Sequence, residues 1–183
     1  MYPSDPVQAV LRWLDEVVIG LNFCPFARKP FLAEAVRVVE VEAAEMDKIV
    51  EAVRVELDYL TDHEPVETSI LVLSRALDNF FDYNDFIHVM EDWLWQQGFE
   101  GIYQIASFHP DYCFADAQTQ DVGNLTNRAP FPLLHILRED RLEHMLDRYP
   151  NADEIPGNNM RTLERLSLEQ LRNLFPYLIA RGQ

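Results

Sequence analysis

SFHPDYCFADAQTQDVGNLTNRAPFPLLHILRE, residues 107–139, is the stretch on which the reading of this chain turns. It leaves an apolar run at 102–108 that reads as a strand and leads into apolar residues read as a helix from about Pro132 to Leu146. On that reading the strands of the sheet precede this stretch, and helices follow it. Between the two lies a long polar connection holding His109, Cys113, Asp121, Asn124, Asn127 and Arg128. A connection of this length in a compact domain is either functional or disordered. Phe108, Tyr112, Phe114, Phe131 and three prolines are groups that pack, which argues for an ordered, functional loop.

Upstream, apolar residues alternate between two periods. Val7, Val10, Leu11, Leu14, Val18 and Leu21 recur at helical spacing, with Ser4 or Asp5 placed to cap the start and Pro25 to stop it. Residues 35–41 are β-branched and alternating, which predicts a strand. Met46, Ile49, Val50, Val53, Leu57 and Leu60 predict a helix, and the short apolar run 70–73 a buried strand. A helix capped by Asp82 runs through Phe86, Met90 and Leu94 to Gly98, before the third strand. Beyond the polar loop, another helix begins near Pro156. Ser167 and Gln170 then form a capping box, and Pro176 kinks or ends the final helix. Strand–helix–strand–helix–strand predicts an α/β fold: a three-stranded or slightly larger, mainly parallel sheet with additional C-terminal helices. A length of 183 residues, 48% of them hydrophobic, suits a single globular domain over 1–183.

A formal net charge of −16 opposes contact with phosphate backbones and anionic lipid, so neither nucleic acid nor membrane is an expected partner. The opening residues show no basic-then-apolar leader, and two cysteines suit a reducing compartment. The expected location is therefore cytoplasmic. Phosphate-binding and dinucleotide glycine motifs, metalloprotease helices and serine-hydrolase elbows are all absent from the sequence, which assigns no cofactor.

The chemistry-bearing residues fall into three groups. His109 follows the third strand, where open α/β sheets place ligands, and Pro110 stiffens it. Asn124, Asn127 and Arg128, with Arg138 beyond them, form a set of donors suited to a carboxylate or phosphate. His135 and Glu139, four apart on a helix, share a face and suit acid–base work or metal ligation. Cys24, between Phe23 and Pro25, is either a buried inert thiol or a nucleophile.

The segments 20–27 (GLNFCPFA), 107–110 (SFHP) and 126–132 (TNRAPFP), with His135 and 137–139 (LRE), resemble a bacterial family of unknown function, domain of unknown function 1415. Ile155, Pro156 and Asn159 extend the resemblance toward the C-terminus. It implies one domain and these motif positions, and adds no reaction. Three functions follow from the residues themselves. The first is an enzyme or binding protein for a small anionic molecule. Catalytic Cys24, His109 and His135 would meet ligand-binding Asn124, Asn127, Arg128, Arg138 and Glu139, and Arg128→Lys would weaken the ligand without lowering the melting temperature. The second is a metal-binding protein using His109, His135 and Glu139, with Cys113 or an aspartate. The third is a non-catalytic protein-interaction module. Convergence of Cys24, His109, Asn127, Arg128 and His135 on one pocket is the expectation that separates the first from the others.

Overall fold

A computed structural model describes residues 5–180, so Ser4 lies outside the described residues and the capping role falls to Asp5. The Asp5 carboxylate accepts from the Gln8 N–H at 3.1 Å, and Pro6 occupies the first turn of α1 (Pro6–Trp13). That helix continues without a break as a π-helical segment, Leu14–Ile19. The short α2 (Arg28–Leu32) follows, then β1 (Val36–Val41), α3 (Met46–Asp62), β2 (Thr68–Leu73), α4 (Phe80–Gln96) and β3 (Tyr103–Phe108). After the long loop come β4 (Leu133–Arg138), α5 (Glu139–Arg148), α6 (Ile155–Glu164), α7 (Leu168–Leu174) and α8 (Pro176–Ala180). The capping box of Ser167 and Gln170 opens α7, which ends before Pro176, the first residue of α8. No helix among the described residues is long and apolar enough to cross a membrane.

The fold is mixed α/β, but its sheet differs from the expected one. It has four strands in the order β1-β2-β4-β3. β1 and β2 pair in parallel, whereas β4 lies between β2 and β3 and pairs with both antiparallel. The residues after Pro132 are therefore a strand and then a helix, not one helix to Leu146, and β3 is flanked by β4 rather than by β2. The physical reason is two-sided burial. Leu133 packs toward α1 and the C-terminal helices, while Leu134 and Ile136 pack toward α3 and α4. A strand buried on both faces loses the polar alternation that distinguishes it from a helix.

The sheet separates two apolar layers. On one face Leu71, Leu73, Ile105 and Ile136 meet Ile49, Leu57, Tyr83 and Met90 of α3 and α4. On the other, Ile70, Val72 and Leu133 meet Val10, Trp13 and Val17 of the first helix and Leu163, Phe175 and Leu178 of the C-terminal helices. Tyr83 ties the late strand to the early one: its buried hydroxyl donates to the Leu133 carbonyl at 2.6 Å and accepts from the Phe108 N–H at 3.0 Å. Tyr83→Phe strands both backbone groups. The expected loss is about 2 kcal/mol in urea unfolding with an unchanged slope. A loss below about 0.5 kcal/mol would show that neither bond matters to stability.

Candidate apolar site between the sheet and the first helix

Cross-strand register builds the floor of a cavity. Ile70, His135 and Ala106 stand side by side on β2, β4 and β3, on the face that looks toward α1. Ala106 is small, which leaves space above its neighbours. The roof comes from Trp13, Leu14 and Val18 of the first helix, with Cys24 and Phe26 from the turn after it. The space between floor and roof is about 210 Å³ and almost wholly apolar.

The π-helical segment shapes that roof. An extra residue in each turn brings Leu14, Val17, Val18 and Ile19 all to buried positions. The Gly20 N–H bonds the Asp15 carbonyl five residues back at 2.9 Å, and the Phe23 N–H bonds Val18 likewise at 2.9 Å. A side chain at Gly20 would set its Cβ 2.2 Å from the Glu16 carbonyl oxygen, so this winding requires glycine. Asn22 then takes a left-handed conformation (φ 56°), and the chain turns to present Cys24 to the cavity.

Two ring nitrogens here are unsatisfied. His135 Nε2 and Trp13 Nε1 are buried and have no hydrogen-bond partner among the described residues. Between them lies Phe108, edge-on to Trp13 at 5.2 Å and 6.1 Å from the His135 ring. Burial pushes the His135 pKa down to about 4, so the imidazole is neutral near pH 7. Burial also raises the pKa of the Cys24 thiol, against two backbone hydrogen bonds that lower it. Neutral imidazole beside neutral thiol is not the ion pair that generates a nucleophilic thiolate.

The cavity opens past Phe26, Pro30, Glu67 and Arg141 into a wider, polar vestibule of about 720 Å³. Lys29, Arg141 and Arg148 line it, against the carboxylates of Glu67 and Asp140. Arg141 is paired with Glu67 at 3.1 Å. Neither Lys29 nor Arg148 has an ion-pair partner among the described residues. In a chain with 31 acids and 15 Lys and Arg, cations without acidic partners at one opening mark a surface suited to anions.

The residues named from the sequence do not form one group. Cys24 and His135 line the cavity, and Arg138 borders it. Cys24, Asn124 and Asn127 line a second pocket, on the side of the long loop. His109 and Arg128 line neither, so the expected convergence of all five residues is not what the fold produces.

His109 is fully buried on the opposite side of β3, against Phe80 and Tyr83. Its Nδ1 accepts from the Asp111 N–H at 3.0 Å, which fixes the Nε2–H tautomer, and Nε2 donates to the Leu77 carbonyl at 3.0 Å. Leu77 has φ 57°, an unfavourable value for leucine, and this bond holds it there. Arg128 donates to the carbonyls of Tyr112 and Thr119 at 3.1 and 2.9 Å. Asn124 accepts from the Phe114 N–H at 3.1 Å and donates to the Gln118 carbonyl at 2.8 Å. Arg138 donates to the Leu60 carbonyl in the last turn of α3, to the Val66 carbonyl just before β2 and to the Tyr103 hydroxyl. These groups hold backbone together.

Glu139 opens α5 instead of sharing a helical face with His135, because His135 is on a strand. Among the described residues no three His, Cys, Asp or Glu side chains are grouped to hold a metal, so His109, His135 and Glu139 do not make the expected metal centre. Trp13, Ala106 and Lys29 were not singled out from the sequence. Apolar residues at helical or strand spacing read as core, and only the scarcity of cations could have pointed to Lys29.

The sequence profile of the family described as Protein of unknown function (DUF1415) matches residues 5–173, and the chain belongs to that family. No curated protein and no solved structure matches the chain.

Proposed function

We propose that this member of the family binds a small organic anion, with an apolar ring or short acyl chain in the cavity and its carboxylate or phosphate at the basic vestibule. The observation that carries the reading is the continuity of an apolar space, where His135 Nε2 has no partner among the described residues, with an opening lined by Lys29, Arg141 and Arg148 against Glu67 and Asp140. A cavity of about 150 Å³ accepts benzene. At about 210 Å³, this one suits a single ring with a short arm. A polar atom of the ligand reaching His135 Nε2 would satisfy a group that otherwise costs roughly 1–3 kcal/mol to bury. Neutral Cys24 and neutral His135 favour binding over nucleophilic catalysis. A cytoplasmic setting would keep that thiol reduced.

Thermal-shift and isothermal titration with phenylacetate, octanoate and phenylacetamide test this. The acids are expected to raise the melting temperature, and the neutral amide to bind roughly tenfold more weakly, an ion-pair difference of about 1.4 kcal/mol. Ala106→Phe, which fills the floor of the cavity, should abolish binding with native circular dichroism retained. Unchanged affinity in that variant would place the ligand elsewhere.

A further inference from the structure

We infer that the binding site is bipartite, with a second chamber beyond Cys24 that takes an uncharged, hydrogen-bonding part of the same ligand. This rests on the reading of the apolar cavity as a ligand site. The second pocket, about 580 Å³, lies between the long loop and α6. Val18, Cys24 and Phe108 line both spaces, so the two adjoin at these three side chains. The two sides differ in chemistry. The first is apolar, and its mouth carries Lys29, Arg141 and Arg148 against only Glu67 and Asp140. The second has Asp121, Thr126 and Asn127 among its walls and no Lys or Arg.

That contrast selects the ligand's orientation. A carboxylate beside Asp121 would be repelled, whereas the vestibule at the far end attracts it. Asn127 uses one of its two amide hydrogens on the Ser107 carbonyl at 3.2 Å, which leaves the other for an acceptor. Phe114, 41% exposed, offers a flat apolar face in the same chamber. An amide or hydroxyl group at the end opposite the acid meets these requirements. The long loop then contributes directly to recognition, while Arg128 holds it in shape.

Two measurements test this, and they separate its failure from failure of the first reading. Cys24 labelling by methyl methanethiosulfonate, in a Cys113→Ser background, needs no ligand. Ala106→Phe plugs the first chamber and Ala117→Phe the second. Each plug alone should slow labelling no more than about threefold, and both together at least about twentyfold. Complete protection by either single plug, or none by the pair, overturns the shared boundary at Cys24. Ala27→Phe, which narrows the first chamber from its roof, replaces Ala106→Phe if that strand variant loses its native circular dichroism. In titrations, 4-acetamidophenylacetate should bind about tenfold more tightly than phenylacetate, and Ala117→Phe should remove that advantage while leaving phenylacetate unaffected. Equal affinity of the two acids overturns the second chamber as a binding site. Absence of binding by both, with labelling as expected, rejects the anion reading and leaves only the chamber geometry standing.

Discussion

Arg128→Ala is expected to lower the free energy of unfolding by on the order of 3 kcal/mol, the largest effect of any single replacement in the long loop. Arg128 is 6% exposed; its guanidinium bridges two loop carbonyls, Tyr112 and Thr119, while its backbone carbonyl accepts from the Tyr177 hydroxyl at 2.9 Å. Burial lowers its pKa against the attraction of Asp111. Removing the side chain leaves carbonyls and a carboxylate without a charged donor in a mostly dry environment. Arg128→Lys is expected to cost about half as much, because one ammonium cannot span both carbonyls as the fork does. Chemical denaturation gives the magnitude. Amide exchange accelerated across 111–128, with the apolar cavity still binding phenylacetate, would locate the effect in the loop. This reverses the expectation from sequence, in which Arg128→Lys weakens a ligand and spares stability. A melting temperature unchanged in both variants would return Arg128 to the ligand.

The reversal shows where sequence stops being informative. Arg128, Asn124 and His109 were conspicuous because they are polar, and polar residues in a long loop suit a ligand and the loop's own backbone equally well. Which one uses them depends on which carbonyls lie within 3 Å, and no spacing along the chain encodes that. The helices of periodic apolar residues were legible, as were the three early strands and the capping box at Ser167. The helix capped by Asp82 begins slightly earlier, with Asn79 accepting from the Phe81 and Asp82 N–H groups. β4 was not legible, since LLHIL has neither the alternation of a half-buried strand nor enough length to exclude a helix. That one error moved His135 from a helix face shared with Glu139 to the middle of the sheet. There it stands between Ile70 and Ala106, facing an apolar space.

His135 should make the protein acid-sensitive well above the range in which carboxylates titrate. Its pKa is about 4 in the folded chain against 6.5 for an unperturbed histidine. The unfolded chain therefore takes up the proton first as pH falls. The stability due to keeping the ring neutral is fully present above pH 6.5, declines below it, and is gone once the pH passes below about 4. A difference of this size corresponds to roughly 3 kcal/mol. His135→Leu should abolish that part of the pH dependence. It should also match or exceed the parent's stability at pH 7, because leucine has no orphaned nitrogen to bury. The measurement is the difference in unfolding free energy between the two proteins at intervals from pH 7.5 to pH 4. Parallel curves would mean that the ring is already solvated or partnered when folded. If leucine at this position does raise stability, a histidine whose Nε2 has no partner among the described residues would be placed for something other than folding.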